Sequence, residues 1–330
     1  MKAAFIQETG PPEIIQYGDL PTPSPSKGQI LIEVEAVSVN PIDTYIRSGK
    51  IPMETPKPFI VGCDFAGKVI ECGEGASRFK NGDRVWGSNQ GLLGRQGTFA
   101  EQIVIEEQWA YPTPDSVSSE DVAAVSLVGI TAHLGLFAEA KLQAGQTLFV
   151  PGGSGGVGSM VVQMAKIAGA KVITTAGSSA KAELCRSLGA DEVILYKEET
   201  IEDRLKQLAP DGVSVWWESL REPNFDLAVT SMAPRGCMIL MAGREARPNF
   251  PVGPFYVKQC RLHGFVMFAA NPSSQSKCAD DINQWMQNGK LRARIDRVLP
   301  LSETAEAHHL QVESTVEGSS VLSGKIVLNP

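Results

Sequence analysis

The feature that most constrains this chain is a glycine-rich loop near its middle, which reads FVPGGSGGVG at residues 149–158. An apolar strand pattern, QTLFV, leads into the loop, and a helical pattern, GSMVVQMAK, follows it. Gly153, Gly155 and Gly158 have the Gly-x-Gly-x-x-Gly spacing of a dinucleotide-binding loop. In such a loop the first glycine permits a turn, the second lets the backbone approach a pyrophosphate, and the third lets helix and strand pack closely.

A triphosphate-binding loop would instead need Lys followed by Ser or Thr at the start of the helix, and the first lysine here is Lys166. We therefore predict that the loop binds a dinucleotide. The predicted contacts are Gly153, Ser154, Gly155, Gly156, Val157 and Gly158.

Residues about 20 positions further on indicate which dinucleotide is bound. An unphosphorylated ribose usually meets Asp or Glu there, which accepts a hydrogen bond from the 2′-hydroxyl. Here the second strand runs into AGSSAKAE, and its first acid, Glu183, already lies inside the next helix. Gly177, Ser178 and Lys181 supply small donors and a cation, which suit a 2′-phosphate, so we predict NADPH as the cofactor. In the alternative interpretation, Ser178 only caps the helix and Lys181 is a solvated surface residue.

The pattern of strands and helices predicts an α/β fold with two domains. Roughly the first 110 residues contain short strands with closely spaced glycines, and residues 29–40 alternate apolar and polar side chains, which is typical of a small, partly open barrel. From about residue 118, apolar strands alternate with helices, which predicts a doubly wound parallel sheet covered on both faces. We place a first domain at 1–122, a nucleotide-binding domain at 123–268, and a return to the first domain at 269–330.

Composition and charge exclude several classes of function. The formal net charge of −7 and the lack of a dense Lys/Arg stripe argue against a nucleic-acid partner. The apolar stretch at the N-terminus is too short for a signal peptide, and the apolar segment 122–138 falls short of a membrane span and is interpreted as a buried helix. The six cysteines include no Cys-x-x-Cys pair, which predicts reduced thiols and a cytoplasmic location.

Several motifs, in order along nearly the whole chain, resemble those of one family. They are VNPIDTYIRSG (39–49), GCDFAGKVIECGEG, GDRVWG, LVGITAH, GGSGGVG and EGSSVLSGKIVL. The chain resembles the medium-chain dehydrogenase/reductase superfamily, most closely its zinc-free quinone oxidoreductases. The resemblance implies a GroES-like mostly β domain beside a Rossmann domain, NADPH as cofactor, and a homodimer formed through the cofactor domain.

The resemblance also implies roles for residues outside the glycine loop. Asn40, Tyr45 and Thr131 fall on the nicotinamide side, and Tyr196 falls with Gly177 and Lys181 at the adenosine end. Two segments would lie along the nicotinamide half: Met241, Ala242, Gly243 and Arg244, and Phe265, Val266 and Met267. The alternatives are structural, with Asn40 in an ordinary turn, Thr131 bonded to helix backbone, Arg244 in a surface ion pair and His263 in the core.

Zinc chemistry is not expected. A catalytic zinc needs three ligands of Cys, His or carboxylate type. Zinc-dependent relatives have Gly-His-Glu where this chain has Gly-Cys-Asp at 62–64, and an upstream Cys near Ser38. The segment 88–102, where the four-cysteine lobe of zinc-dependent relatives would fall, contains no Cys or His. Cys63 is therefore interpreted as a small buried hydrophobic residue.

The expected reaction is direct hydride transfer from NADPH to a small electrophilic acceptor, either a quinone or an α,β-unsaturated carbonyl. Without zinc, hydrogen-bond donors must stabilise the developing oxyanion, and Tyr45 is the leading candidate. A short-chain dehydrogenase is excluded because no tyrosine has Lys four residues later. An enoyl-thioester or alkenal reductase remains an alternative, although the loop GKIPMETPKPF (49–59) lacks the Tyr of that branch. A low-turnover NADPH-binding protein is the other alternative.

Overall fold

The computed structural model describes residues 1–315, 318–319 and 321–330. They form two compact units, one from Met1–Leu127 with Pro272–Pro330 and one from Val128–Asn271. From the sequence, we predict the corresponding domain boundaries after residues 122 and 268. Glu317 and Ser320, which belong to the closing motif EGSSVLSGKIVL, lie outside the described residues.

The first unit begins with eight short strands and two helices. The strands are β1 (Lys2–Ile6), β2 (Gln16–Asp19), β3 (Gln29–Ser38), β4 (Phe59–Ile60), β5 (Phe65–Cys72), β6 (Arg84–Gly87), β7 (Gln102–Glu106) and β8 (Ala110–Pro112). The helices are α1 (Pro41–Arg47), between β3 and β4, and α2 (Ser119–His133), which crosses the boundary between the units. The alternating segment predicted at 29–40 is β3, which pairs antiparallel with both β5 and β7.

The second unit alternates strands and helices. Its strands are β9 (Thr147–Val150), β10 (Lys171–Ala176), β11 (Glu192–Leu195), β12 (Val213–Glu218), β13 (Met232–Leu240) and β14 (Arg261–Gly264). Its helices are α3 (Gly156–Ile167), α4 (Ser179–Ser187), α5 (Ile201–Leu208), α6 (Phe225–Ser231) and α7 (Val252–Val257). All strand pairs are parallel, in the order β11-β10-β9-β12-β13-β14. This order confirms the doubly wound sheet, and its winding reverses between β9 and β12.

Large apolar side chains fill the space between the parallel sheet and its helices. The rings of Phe149 and Trp216, on adjacent strands β9 and β12, lie 4.4 Å apart between centroids. They pack with buried side chains that include Ile173, Ile194 and Met238. Continuous apolar strands of this kind are expected where helices cover both faces of a sheet. The predicted strand RLHGFVM is shorter than expected, because β14 ends at Gly264 and Met267 begins a separate helical turn.

The chain then returns to the first unit through α8 (Pro272–Gln287), β15 (Ile295–Pro300), α9 (Thr304–Thr315) and β16 (Lys325–Asn329). Strand β16 pairs antiparallel with the end of β3, so the last residues of the chain complete the larger sheet of this unit. The two kinds of sheet confirm the predicted α/β class with one mainly antiparallel and one parallel domain.

The apolar segment at 122–138 is helical throughout, because α2 continues into a π-helical segment, Leu134–Glu139. By length and composition this helix could cross a membrane, which corrects the sequence argument that it falls short of a span. However, 78% of its most apolar window is buried inside the structure. Each of the six cysteines is unpaired.

His308, on α9, is fully buried and has neither ring nitrogen hydrogen-bonded to any described residue. Its ring lies 6.1 Å from the ring of Phe99. Burial lowers the pKa of His308 from its usual 6.5 to about 3, and the positive charge of Arg47 acts in the same direction. Between these two pH values the unfolded chain binds a proton that the folded chain does not. The free energy of unfolding therefore falls as the pH decreases through this window, by up to about 1.4 kcal/mol per pH unit.

We expect His308→Leu to remove this contribution, so that stability depends less steeply on pH between about pH 6.5 and about pH 4. Urea unfolding at several pH values measures the slope. The exposed neighbour His309, on the same helix, provides the control, and His309→Leu should keep the wild-type slope. A wild-type slope in His308→Leu would contradict the prediction.

Candidate functional site

The glycine loop of the second unit lies between β9 and α3, at the carboxyl edge of the parallel sheet. Gly155 is the N-cap of α3, in extended conformation, and Gly152 turns the chain with φ +68°. A side-chain carbon at Gly158 would lie 2.3 Å from the Gly152 oxygen, which only a glycine avoids. At Gly155 it would meet only that same oxygen, at 3.3 Å. The third glycine thus permits close packing, whereas the second leaves open space where a ligand can approach the backbone.

Two threonines of β10 hold the glycine loop. The Gly152 N–H donates to Thr175 Oγ1 at 3.0 Å, and the Gly153 N–H donates to Thr174 Oγ1 at 2.9 Å. Thr174 in turn donates to the Val150 carbonyl at 2.6 Å. Neither threonine was predicted as a site residue, although their place just before AGSSAK is a signal that they face the first loop.

The first turn of α3 presents backbone donors at this loop. The first bond of the helix runs from the Ser159 N–H to the Gly155 carbonyl, at 2.9 Å. The N–H groups of Gly156, Val157 and Gly158 precede that bond and have no partner within the helix. Such donors, together with the positive end of the helix dipole, form a site for a phosphate group.

The end of β10 brings together the residues predicted for the adenosine end. Ser178 is the N-cap of α4, and its hydroxyl accepts a weak hydrogen bond from the Lys181 N–H at 3.4 Å. The capping alternative is therefore correct for Ser178, and its hydroxyl hydrogen remains able to donate. A side-chain carbon at Gly177 would lie 2.6 Å from Tyr196 Oη, so the half-exposed tyrosine ring lies against this glycine. Lys181 is partly exposed beside them.

The other predicted segments follow neighbouring strands at the same edge. Met241–Arg244 follow β13, and a side-chain carbon at Gly243 would lie 3.0 Å from the Arg221 carbonyl of the loop after β12. Phe265, Val266 and Met267 follow β14. Their exposures differ, because Val266 is 55% exposed whereas Met267 is buried.

Two polar residues of this unit depart from the sequence predictions. His263 was predicted to be a core residue, and Glu218 was not predicted as a site residue. His263 is not a core residue, because its side chain is partly exposed and its Nδ1 lies 3.5 Å from Glu139. Glu218 ends β12, beside the point where the winding reverses, and its carboxylate accepts from the Leu220 N–H at 2.8 Å and from Trp216 Nε1 at 3.1 Å. Burial raises the pKa of Glu218. Thr131 lies on α2 in the same unit and is buried.

In the first unit, a buried polar network surrounds the start of α1. Asn40 Nδ2 donates to Asp64 Oδ2 at 2.7 Å, and Asn40 Oδ1 accepts from Lys325 Nζ. Lys325 also donates to the Val39 carbonyl at 2.7 Å and lies 3.9 Å from Asp64 Oδ2. The Ser38 hydroxyl is 2.9 Å from the same carboxylate oxygen. Asn40 has no exposed surface.

This network gives Asn40 a structural role. Both ends of its side-chain amide are bonded inside the unit, and its predicted contact with a cofactor or a substrate carbonyl stays a prediction. Asn40 begins α1, where its N–H donates to Asp43 Oδ2 at 2.7 Å, and this helix carries Tyr45. The structure therefore makes Asn40 a residue that positions α1. Tyr45 is half-buried on that helix.

The charges around this network do not suit a metal ion. Burial, together with the bonded Asp43, raises the pKa of the Cys63 thiol well above its usual range, whereas a zinc ligand must be a thiolate. Burial also raises the pKa of Asp43 to about 7 and lowers the pKa of Lys325. The Lys325 ammonium already faces these groups, and a divalent cation beside it would be repelled. Among the described residues no group of three or more potential ligands is assembled, and the zinc-free interpretation stays a prediction.

We expect Lys325→Met to cost about 3–5 kcal/mol of stability, because it leaves Asp64 and the Asn40 carbonyl buried without their cation. Chemical unfolding measures the loss. The matched control is Lys68→Met, which removes an exposed pair with Glu35 (3.2 Å) and should cost about 0–1 kcal/mol. Equal losses in the two variants would show that Lys325 does not stabilise the network.

Comparisons with known proteins agree with this arrangement. Residues 26–115 match the family described as "Alcohol dehydrogenase GroES-like domain", and residues 156–284 match the family described as "Zinc-binding dehydrogenase". Human quinone oxidoreductase is 30% identical over 333 residues, covering 99% of this chain and 97% of the human protein. The 2-methylene-furan-3-one reductase of Solanum lycopersicum is 30% identical over 342 residues, covering 100% of this chain and 79% of the tomato protein.

Among solved structures, the Escherichia coli quinone oxidoreductase complexed with NADPH aligns over 100% of both chains, with a TM-score of 0.88 and 26% identity. The relatives at 30% identity extend over nearly the whole chain and over both units. The chain therefore belongs to the medium-chain dehydrogenase/reductase family and is an oxidoreductase of the quinone oxidoreductase type.

Proposed function

We propose that this protein is an NADPH-dependent reductase that acts on a quinone or an α,β-unsaturated carbonyl without a metal ion. The observation that carries the proposal is the carboxyl edge of the parallel sheet. There, an open glycine loop precedes a helix N-terminus, and the next strand is followed by Gly177, Ser178 and Lys181 in place of an acid. The likeness to an E. coli quinone oxidoreductase complexed with NADPH supports the choice of cofactor.

The residues present fit the parts of NADPH. The donors of the α3 first turn and the open face of Gly155 would hold the pyrophosphate. Ser178 and Lys181 would bind the 2′-phosphate, where the ammonium forms charge-assisted hydrogen bonds. Tyr196 would cover the adenosine beside Gly177, and the strand-end segments Met241–Arg244 and Phe265–Met267 would lie along the nicotinamide half.

When bound, NADPH supplies a hydride to an electron-poor carbon. The protein's own task is then to stabilise the negative charge that develops on the acceptor oxygen, which preorganised hydrogen-bond donors do effectively. We assign this task to the Tyr45 hydroxyl, with Thr131 as a second hydroxyl toward the nicotinamide. Asn40 and Lys325 contribute by fixing the start of the helix that carries Tyr45.

The two acceptor classes share an electron-poor carbon conjugated to a carbonyl, and the relatives include one named for each. The alternative of a low-turnover NADPH-binding protein needs the same cofactor residues but no acceptor. An enoyl-thioester reductase would act on the same conjugated system with a larger substrate.

The proposal predicts that the purified protein oxidises NADPH when 1,4-benzoquinone, a 2-alkenal or an enone is added, and more efficiently than NADH. Loss of cofactor absorbance measures the rates, and crotonyl thioesters are tested in parallel. Tight NADPH binding with no oxidation by any acceptor would refute the reductase and favour the binding protein. Turnover confined to crotonyl thioesters would favour the thioester reductase.

The variant Lys181→Ala tests the proposed phosphate site. The preference for NADPH over NADH, measured as a ratio of dissociation constants, should fall about tenfold or more because one charge-assisted contact is lost. Arg186→Ala is the matched control, since Arg186 lies on the same helix, is exposed and pairs with Glu183. It should keep the wild-type ratio, whereas an unchanged ratio in Lys181→Ala would refute the role of this lysine.

We further propose a homodimer formed through the outer strand of the parallel sheet. Among the described residues, strand β14 pairs with β13 alone, so its other edge has backbone groups free to pair, and Leu262 on it is 39% exposed. Tyr256 and Val257, at the end of α7, are 67% and 69% exposed. Val257→Asp should shift the protein toward monomer in sedimentation velocity. Val298→Asp, on the edge strand β15 of the other unit, should not, and a monomeric wild-type protein would refute the dimer.

A further inference from the structure

The segment 88–97 of the first unit, SNQGLLGRQG, has an unusual backbone that the proposed function does not explain. Asn89 has φ +70° and Leu93 has φ +54°, in the left-handed region that side chains other than glycine rarely adopt. The Gln90 N–H reaches the Cys63 carbonyl, so the segment lies against the motif that contains Cys63. Strained residues of this kind concentrate at ligand-binding sites.

The segment carries a guanidinium that is held in place but not neutralised. Arg95 stacks over the Trp109 ring, with Cζ 5.1 Å from its centroid, and its Nη2 donates to Asn89 Oδ1 at 3.3 Å. Burial lowers the pKa of Arg95, and Glu106 counteracts this only through space, without an ion pair. By contrast, Arg186 and Arg297 each pair with a carboxylate. A half-buried cation fixed by an aromatic face and lacking an acid partner is costly unless a ligand supplies the anion.

The groups next to this guanidinium are donors without acceptors. Arg95 Nε, Asn89 Nδ2 and Trp109 Nε1 are all buried, and none has a hydrogen-bond partner in the described part of the chain. Buried donors of native proteins are nearly always paired, so three that meet at one guanidinium indicate a missing acceptor. All three can only donate, and with the positive charge of Arg95 they favour an anion over a neutral group.

We propose that Arg95 and Asn89 bind a carboxylate group of the acceptor molecule, which makes this segment the specificity determinant of the enzyme. This inference rests on the proposed reductase function and narrows its substrate to acceptors that carry an anionic oxygen group. A carboxylate fits because its two oxygens match the planar fork of a guanidinium, and the neighbouring amide adds a donor. Trp109 supplies the flat surface on which the guanidinium rests. The site binds and orients the acceptor and takes no part in the transfer of hydride.

The test compares two acceptors with the same enone, 4-oxopent-2-enoate and its methyl ester, of which only the acid carries a negative charge. The wild-type protein should prefer the acid over the ester by about tenfold or more in kcat/KM, the size expected for hydrogen bonds to a charged group. In Arg95→Met this ratio should fall about tenfold or more, because the charge-assisted contact is lost. The control is Arg78→Met, because Arg78 also lies over an aromatic ring (Phe79, 5.2 Å) but is exposed and donates to the Glu107 carbonyl. Arg78→Met should keep the wild-type ratio.

Asn89→Asp provides a second variant of nearly unchanged shape, in which the new carboxylate pairs with Arg95 and competes with the acceptor. It should also lose the preference for the acid, even if Arg95→Met fails to fold. Equal kcat/KM for acid and ester in the wild type, or an equal loss of preference in Arg95→Met and Arg78→Met, would overturn the inference.

Binding of the unreactive analogue 4-oxopentanoate, measured by calorimetry, separates the site from the reaction. Binding that is lost in Arg95→Met, with neither acceptor reduced, would support the anion site and refute the proposed function. Reduction of both acceptors at equal rates, with no binding of 4-oxopentanoate, would refute the anion site and leave the proposed function standing.

Discussion

The first unit depends on a contact between two distant parts of the chain, the buried Lys325 ammonium against Asn40 and the Val39 carbonyl. Lys325 begins β16, the last strand, and Asn40 follows β3, so this contact joins positions 285 residues apart. It closes the sheet with the chain's end and fixes the start of α1. The position of Tyr45, the proposed donor, follows from this contact because Tyr45 lies one turn into that helix.

The second unit obtains its site from local geometry. Gly158 lets α3 pack against Gly152, and Thr174 and Thr175 hold the loop from the next strand. The helix start and the end of β10 therefore face the same edge of the sheet, which is where ligands bind in doubly wound folds. A long-range contact thus organises the first unit, whereas short-range contacts along consecutive elements organise the second.

This difference explains what the sequence could predict. The spacing of Gly153, Gly155 and Gly158 is local, and it predicted the strand, the loop and the helix correctly. Ser178 caps α4, and the same position suits the proposed phosphate contact, so the sequence alone left its role open. The burial of Asn40 was not predictable, because it results from contacts with Lys325 and Asp64. No spacing of residues in the sequence indicates that these two side chains approach Asn40 in the folded chain. The predicted length of the strand that ends at Gly264 was too great, since the apolar run continues beyond the last residue that pairs with the neighbouring strand.

Lys325, which is buried, and Arg95, which is half-buried, are two cations of the first unit whose surroundings differ in a way that bears on the acceptor. Lys325 lies among Asp43, Asp64 and the Asn40 carbonyl, so its charge is balanced from within, and the network has a structural role. Arg95 has an aromatic face and donors around it but no acid bonded to it among the described residues. A partly desolvated charge that the protein does not balance favours a ligand that can. The charge of Arg95 is therefore a better guide to what the protein binds than the balanced charge of Lys325.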